Sequence, residues 1–212
     1  MCGRFTITLT VEELKKAIDQ GFKLELSSLS LTLPHYNITP SMRVPVVSFE
    51  HGAWRLQEVP WQVRSREGHT FINTRLETLR QTAFCARYQP KVCVVPLSGF
   101  YEWDKAKQPY YVETKTVVYA AGLILKGSNG DGISLLTHAA WAPLKEIHDR
   151  QPLLITEDKL QAFLKTPLHA LEHFITLTPP LNYYPVSKKV NSPKINHPSN
   201  LEPHTMRTLF DH

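Results

Sequence analysis

Sixteen prolines are spread along this 212-residue chain, from Pro34 to Pro203. Each one fixes φ at about −65° and removes a backbone donor, so it breaks a helix interior and divides regular structure into short pieces. This argues against a fold built on long helices, and short strands become the expected framework. Phe5, Ile7 and Leu9 alternate with polar residues as in a half-buried strand near the N-terminus. Thr10 and Glu13 then have the spacing of a capping box, and Val11, Leu14 and Ile18 share one helical face before Gly21 stops it. Strand-like runs follow at 44–49, 54–59, 92–97, 110–113, 117–125, 133–137 and 153–155, and the turn-rich GSNGDG at 127–132 joins two of them as a hairpin. A second helix is predicted over 157–165, capped by Thr156, with Leu160, Phe163 and Leu164 on one face.

Many short strands and few helices predict an α+β fold. Its core is a curled, mostly antiparallel β structure, two sheets closing toward a barrel, with peripheral helices. The order does not repeat strand–helix–strand, which argues against a doubly wound parallel sheet. The length fits a single domain over residues 1–212. The tail from about residue 192, rich in Pro, Asn and His, either wraps the surface or is mobile.

No apolar run reaches the roughly 18 residues of a membrane span, and the first residues lack the apolar stretch of a signal peptide. Cys2, Cys85 and Cys93 are an odd number without CxxC spacing, which fits neither a disulfide framework nor a zinc ribbon. A cytoplasmic protein is expected, nucleoid-associated if the host is bacterial. Formal net charge is +5, and residues 55–91 hold seven basic groups against three acidic ones. Six of those seven are arginines: Arg55, Arg64, Arg66, Arg75, Arg80 and Arg87. The planar guanidinium fork binds phosphate oxygens bidentately, so this window is either a phosphate-binding surface or a solvated basic face.

Candidate chemistry begins at Cys2, which becomes the N-terminal residue once Met1 is removed. At pH 7.5 about a third of such α-amines are neutral and about a tenth of such thiols are ionised. The two nucleophiles sit on adjacent carbons, so an aldehyde reacts first with the amine as an imine and then with sulfur to close a five-membered thiazolidine. Glu102 lies in Gly99-Phe100-Tyr101-Glu102-Trp103, where aromatic neighbours desolvate a carboxylate and raise its pKa toward the range of proton transfer. The bland alternative is an edge glutamate facing solvent. His148-Asp149-Arg150 brings a proton shuttle and a guanidinium together, and Asn73-Thr74-Arg75 an amide and another guanidinium. His169-Ala170-Leu171-Glu172-His173 matches an inverted zinc-peptidase pattern but supplies only two ligands and a base, with Glu202 the one glutamate downstream. No metal and no other cofactor is expected.

Met1-Cys2-Gly3-Arg4-Phe5, Tyr36-Asn37-Ile38-Thr39-Pro40, Trp61, Asn73-Thr74-Arg75 with Glu77-Thr78, Gly99-Phe100-Tyr101-Glu102-Trp103, Thr137, His148-Asp149-Arg150 with Pro152, and Val190-Asn191 occur in one collinear order. In that order they resemble the SOS-response-associated peptidase family over about residues 2–191. The resemblance implies a protein that shields abasic sites in single-stranded DNA by covalent crosslinking, acting as a monomer. It implies catalytic roles for four residues: Cys2 as the nucleophile, Asn73 positioning the N-terminus and the sugar, Glu102 moving protons, and His148 assisting ring opening and reversal. It further implies DNA contacts at Arg4, Arg75 and Arg150 on phosphates and at Pro40 near the lesion, with Arg80 and Thr137 also in the DNA-binding set. An associated lyase activity, and a peptidase activity directed at the protein's own first residue, belong to the same implication.

The chain departs from the family pattern in places. Many members carry a longer loop after the position of Trp61, often with further tryptophans, whereas here it is the short polar Gln62–Gly68. Cys85 stands where an arginine is common, with Arg80 or Arg87 as substitutes, and Gln151 follows the His-Asp-Arg triplet. Two other classes of function stay open on sequence alone. One is a thiol peptidase that needs no DNA; the other is a single-strand binding module that does not distinguish an abasic site.

Overall fold

The computed structural model describes residues 2–19, 24–26, 30–177, 179 and 181–204. In chain order its strands are β1 (Phe5–Ile7), β2 (Leu24–Leu26), β3 (His35–Ile38), β4 (Arg43–Glu50), β5 (Ala53–Pro60), β6 (Val63–Arg64) and β7 (Thr70–Phe71). They continue with β8 (Asn73–Arg75), β9 (Lys91–Trp103), β10 (Pro109–Gly127), β11 (Gly130–Ala139), β12 (Arg150–Pro152), β13 (Leu154–Ile155) and β14 (Asn182–Pro185). Three short helices accompany them: α1 (Val11–Asp19), α2 (Thr82–Tyr88) and α3 (Leu160–Lys165).

Twelve strands form one sheet whose main path runs β12-β11-β10-β9-β4-β5-β2, and β6 and β7 form a separate pair. The architecture is the expected mixed α+β one, mostly antiparallel, but the expected pair of sheets closing toward a barrel is corrected: the large sheet is single, branched and open. The cause is the length of its two central strands. Sequence runs separated by Gly99 or by residues 114–116 are continuous strands, and β9 pairs with β10 from Lys91 to Trp103 across a register shift between Glu113 and Val118. A long strand with an irregularity bends without ending, so Cys93 and Val94 of β9 pair with β4 while Gly99 and Phe100 pair with β1. Gly99 sits at the bend. A Cβ there would lie 2.2 Å from the Tyr111 hydroxyl and 2.7 Å from the Val112 carbonyl oxygen, so only glycine fits.

Period-two alternation divides the strands between two faces. Val44, Val46, Cys93 and Val95 pack in one cluster with Phe5 and Trp61, and Val47, Val94, Tyr119 and Ala121 pack in the other. The second face is covered by α1 and α3 through Leu14, Ile18, Leu160 and Phe163, each no more than 1% exposed. Full burial of such side chains contributes about 1.5–3 kcal/mol each. The first face holds Cys2.

The Thr10–Glu13 capping box forms reciprocally: the Thr10 N–H donates to Glu13 Oε2 at 2.9 Å and the Glu13 N–H to Thr10 Oγ1 at 3.2 Å. The predicted stop at Gly21 lies outside the described residues. The predicted helix over 157–165 is two pieces, a 3-10 turn at Glu157–Lys159 and then α3, because the Thr156 hydroxyl turns to Asp158 Oδ1 instead of capping the backbone. Residues 192–204 pack onto the body: Asn37 Nδ2 donates to the Ser192 and Ile195 carbonyls at 3.0 and 2.7 Å, and the His204 N–H to the Pro185 carbonyl at 2.8 Å. Among the described residues no helix is long and apolar enough to cross a membrane.

Candidate active site around Cys2

Strand β1 is too short to hold itself in place; β9 and β3 hold it. Phe5 pairs with both Phe100 and Ile38, and the Tyr101 N–H donates to the Arg4 carbonyl at 2.9 Å. The segment before β1 therefore runs antiparallel to the last residues of β9, toward Glu102. The Thr6 hydroxyl, 2.9 Å from the Tyr111 hydroxyl, tightens the same crossing. Cys2 is fully buried and Glu102 is only 4% exposed. Burial, and secondarily the negative charge of Glu102, push the Cys2 thiol up to about 12, so sulfur stays protonated at neutral pH while Met1 is attached. The thiol points at the Arg4 carbonyl at 3.9 Å, a weak contact for sulfur.

Asn73 arrives from a different part of the chain. Strand β8 lies parallel to β11, with Asn73 opposite Leu135 and Thr74 opposite Leu136. The hydroxyls of Thr74 and Ser134 meet at 2.7 Å and lock that register. Asn73 Nδ2 then donates to the Cys2 carbonyl at 2.8 Å. Its Oδ1 is buried and has no hydrogen-bond partner among the described residues, which leaves an acceptor beside the Cys2 backbone. The Ile72 carbonyl accepts from the indole of Trp61 at 3.0 Å, and that indole packs 4.9 Å from the Phe5 ring. The loop carrying half-exposed Pro40 is tied to the same tryptophan by the Ser41 N–H to Trp61 carbonyl bond at 3.1 Å.

His148 is half-buried in the connection from β11 to β12. Its N–H donates to the Leu144 carbonyl at 3.0 Å, and its Nδ1 accepts from the Arg150 N–H at 3.0 Å. An accepting Nδ1 places the proton of the neutral ring on Nε2. Leu144 and Ile147 pack in the same cluster as Cys2, which brings the histidine's loop to that face of the sheet.

The structure thus ties Asn73 to the Cys2 backbone, sets Glu102 within electrostatic reach of the thiol, and brings His148 to the same face. The cationic residues separate more sharply. Arg4 is half-buried and braces the fold: Nη1 donates to Asn37 Oδ1 at 2.8 Å and to the Val190 carbonyl, and the guanidinium lies 5.8 Å over the Trp103 ring. Arg150 makes a two-pronged contact with Glu77 at 2.8 and 3.0 Å and donates to the Thr137 carbonyl at 2.6 Å. That arginine holds the Glu77 carboxyl well below its usual range, at about 2. Thr137 is fully buried, its Oγ1 3.5 Å from the Thr74 carbonyl. Arg75 is exposed, without an ion-pair partner among the described residues. Arg80 lies outside this group, paired with Glu172 at 2.7 Å. Residues 169–173 fall within a 3-10 run, Leu168–Leu177. At three residues per turn, positions four apart do not share a face, and no group of three candidate ligands comes together among the described residues.

Three participants stood in the quoted motifs but were given no role from sequence. Glu77 proves to be the partner of Arg150, Trp103 the surface under Arg4, and Gly99 the reason β10 comes close enough for the Thr6–Tyr111 contact. Gly99 also carried a local signal, a glycine inside a strand-like run.

The family model described as SOS response associated peptidase matches residues 1–193. The abasic site processing protein YoqW of Bacillus subtilis is 28% identical, covering 96% of this chain and all of that protein. The abasic site processing protein YoaM of the same organism is 30% identical over 92% of this chain and 95% of its own length. A solved structure from Bacteroides thetaiotaomicron shares the fold with a TM-score of 0.76 at 18% identity, covering 96% of this chain and all of that one.

Proposed function

The chain belongs to the SOS response associated peptidase family, and from that premise we propose that it processes abasic sites in single-stranded DNA by forming a thiazolidine crosslink through Cys2. The observation that carries this reading is the Cys2 corner itself, a buried residue held by Asn73 with a buried carboxylate near enough for its charge to act on the thiol. Removal of Met1 would place a new α-amine beside Glu102. That amine attacks C1′ of the ring-opened deoxyribose, and loss of one water gives an imine. The thiol then adds across the imine carbon, its proton passes to nitrogen, and the five-membered ring closes. Glu102 accepts and returns protons in this sequence, and Asn73 holds the Cys2 carbonyl so that nitrogen and sulfur face one carbon. His148 protonates the sugar ring oxygen on opening and serves again on reversal.

An imine at C1′ also acidifies the C2′ protons. Their removal expels the 3′ phosphate and breaks the strand, the lyase branch of the same chemistry. The peptidase of the family's description fits cleavage of the Met1–Cys2 bond, with Glu102 as the group that moves the proton. Arg75 is the expected phosphate contact nearest Asn73, with Arg4, Arg150 and Thr137 shaping the surface beside it and Pro40 facing the lesion.

Intact mass of the purified protein, before and after incubation with an oligonucleotide carrying one abasic site, tests the proposal. The expected result is loss of Met1 followed by a heat-stable species of protein plus DNA minus one water. A processed protein that gives no adduct would overturn it. Hydrolysis of peptides without DNA would support the thiol-peptidase alternative instead.

A further inference from the structure

A surface hollow of about 740 Å³ lies away from Cys2. Its walls are the 62–68 loop, the C-terminal end of α2 and the tip of the β10–β11 hairpin. Its charged lining is Arg64, Arg66, Arg87 and Lys126 against Glu67 and Asp131. Arg87 pairs with Glu67, and Lys126 stands opposite Asp131 in the hairpin register. The surplus is therefore Arg64 and Arg66, both exposed and without an ion-pair partner among the described residues.

The hollow is built, not incidental. The Arg64 carbonyl accepts from the Ser128 N–H at 2.8 Å, and Arg64 pairs with Thr70 across the β6–β7 hairpin. A Cβ on Gly132 would lie 1.9 Å from the Gln62 carbonyl oxygen, and one on Gly127 would lie 3.0 Å from that of Arg64. The loop backbone is thus pressed onto glycines of the hairpin, and two arginines are held at the rim of a concave surface. Ser65 lines the floor, only 4% exposed, and fixes the loop between the two arginines. Guanidiniums at the rim of a concavity suit the oxygens of a phosphate.

Strand β11 gives the distance to the Cys2 corner. Asp131 lines the hollow, and Leu135, four residues on, is the partner of Asn73. That separation is about 13 Å along a strand, about four stacked nucleotides at about 3.4 Å each. We infer that this hollow is a phosphate-anchoring site for the strand that flanks the abasic site. Resting on the DNA-processing reading above, it deepens it: capture of the flank and chemistry at the lesion are done by separate parts of the protein.

The test uses the whole protein with Arg64→Glu/Arg66→Glu, alongside Arg64→Lys/Arg66→Lys. The first probe is an undamaged single-stranded 15-mer, titrated by fluorescence anisotropy at several salt concentrations. The charge-reversed variant should bind at least about tenfold more weakly at low salt, and the slope of log K against log salt should shrink by about 1.4, the share of two single-strand phosphate contacts. The lysine variant should keep the slope. The second probe is an abasic trinucleotide, too short to reach the hollow, on which both variants should form adduct as fast as the parent protein. Unchanged affinity and slope on the 15-mer, in a variant with unchanged Tm, would overturn the inference. An equal loss on the trinucleotide would also overturn it, by placing the arginines at the lesion. Failure of the crosslinking reading is a separate outcome: the parent protein would give no adduct with either abasic substrate, while binding to undamaged DNA still reports on the hollow.

Discussion

The corner around Cys2 and the hollow around Arg64 are assembled by the same device, a glycine that lets two backbones touch, and they differ in nearly everything else. At Gly99 the close approach brings β10 against β1 and buries a thiol, a carboxylate and a tyrosine pair. At Gly132 it seats a loop whose arginines remain in water. Burial suits a step in which protons must move between a few fixed groups, because low dielectric strengthens each interaction and penalises any misplacement. Exposure suits capture of a polyanion, where each contact is worth little and the effect lies in their number and their release of counterions.

The separation can be broken most decisively at sulfur. Cys2→Ala should abolish the heat-stable adduct altogether while leaving affinity for undamaged single strands within about twofold, as read by denaturing gels and anisotropy. A parallel loss of affinity would show that the two regions are one site. Next in size is the accessibility of the thiols. With Met1 attached, the shift of Cys2 from 9.0 to about 12 lowers its thiolate fraction roughly a thousandfold at neutral pH. Cys93 is likewise buried, and pushed up by that burial. Iodoacetamide followed by peptide mass mapping should therefore label half-buried Cys85 first and leave Cys2 and Cys93 nearly untouched until the protein is denatured. Fast labelling of Cys2 in the unprocessed protein would mean that the corner is open.

Gly99→Ala sharpens the comparison from the packing side. Its methyl meets the Tyr111 ring and the Val112 backbone, which cannot both yield, so a loss of about 1–3 kcal/mol is expected and a fall in Tm of about 2–12 °C. The smallest effect concerns the pair behind Asn73. The Glu77 carboxyl, held at about 2 by Arg150, lies below its unfolded value, so the pair stabilises fully above about pH 5 and is lost as pH falls toward 2. Because the Glu77 side chain is 54% exposed, the contribution stays under about 1 kcal/mol. Urea midpoints at pH 6 and pH 3 should drop less for Glu77→Gln than for the parent protein.

Legibility in the sequence followed the range of the interaction. The Thr10–Glu13 box and the strands at 44–49 and 54–59 depend on neighbours three or two residues away, and all appear where the pattern puts them. Strand β8 is three residues long and pairs in parallel with residues about 60 positions on, so no local pattern marks it. The continuity of β9 through Gly99 is hidden by the residue that makes it possible. The meeting of Cys2, Asn73 and Glu102 depends on three separate strand pairings, and only the family resemblance anticipated it. The engagement of Arg150 with Glu77 escaped both, because it needs the relative placement of β8, β11 and β12.

The pairing of β1 with β9 has a consequence in time. The burial of Cys2 is provided by a strand synthesised about a hundred residues later, which is roughly 5–20 s of translation. During that interval the first residues emerge with no sheet to join, and Met1 is as open to the trimming enzymes of the ribosome exit as any nascent N-terminus. Once Gly99 and Phe100 arrive and the strand docks, Cys2 is enclosed. Residues near the middle of the chain thus set the moment at which Cys2 passes from solvent into the sheet.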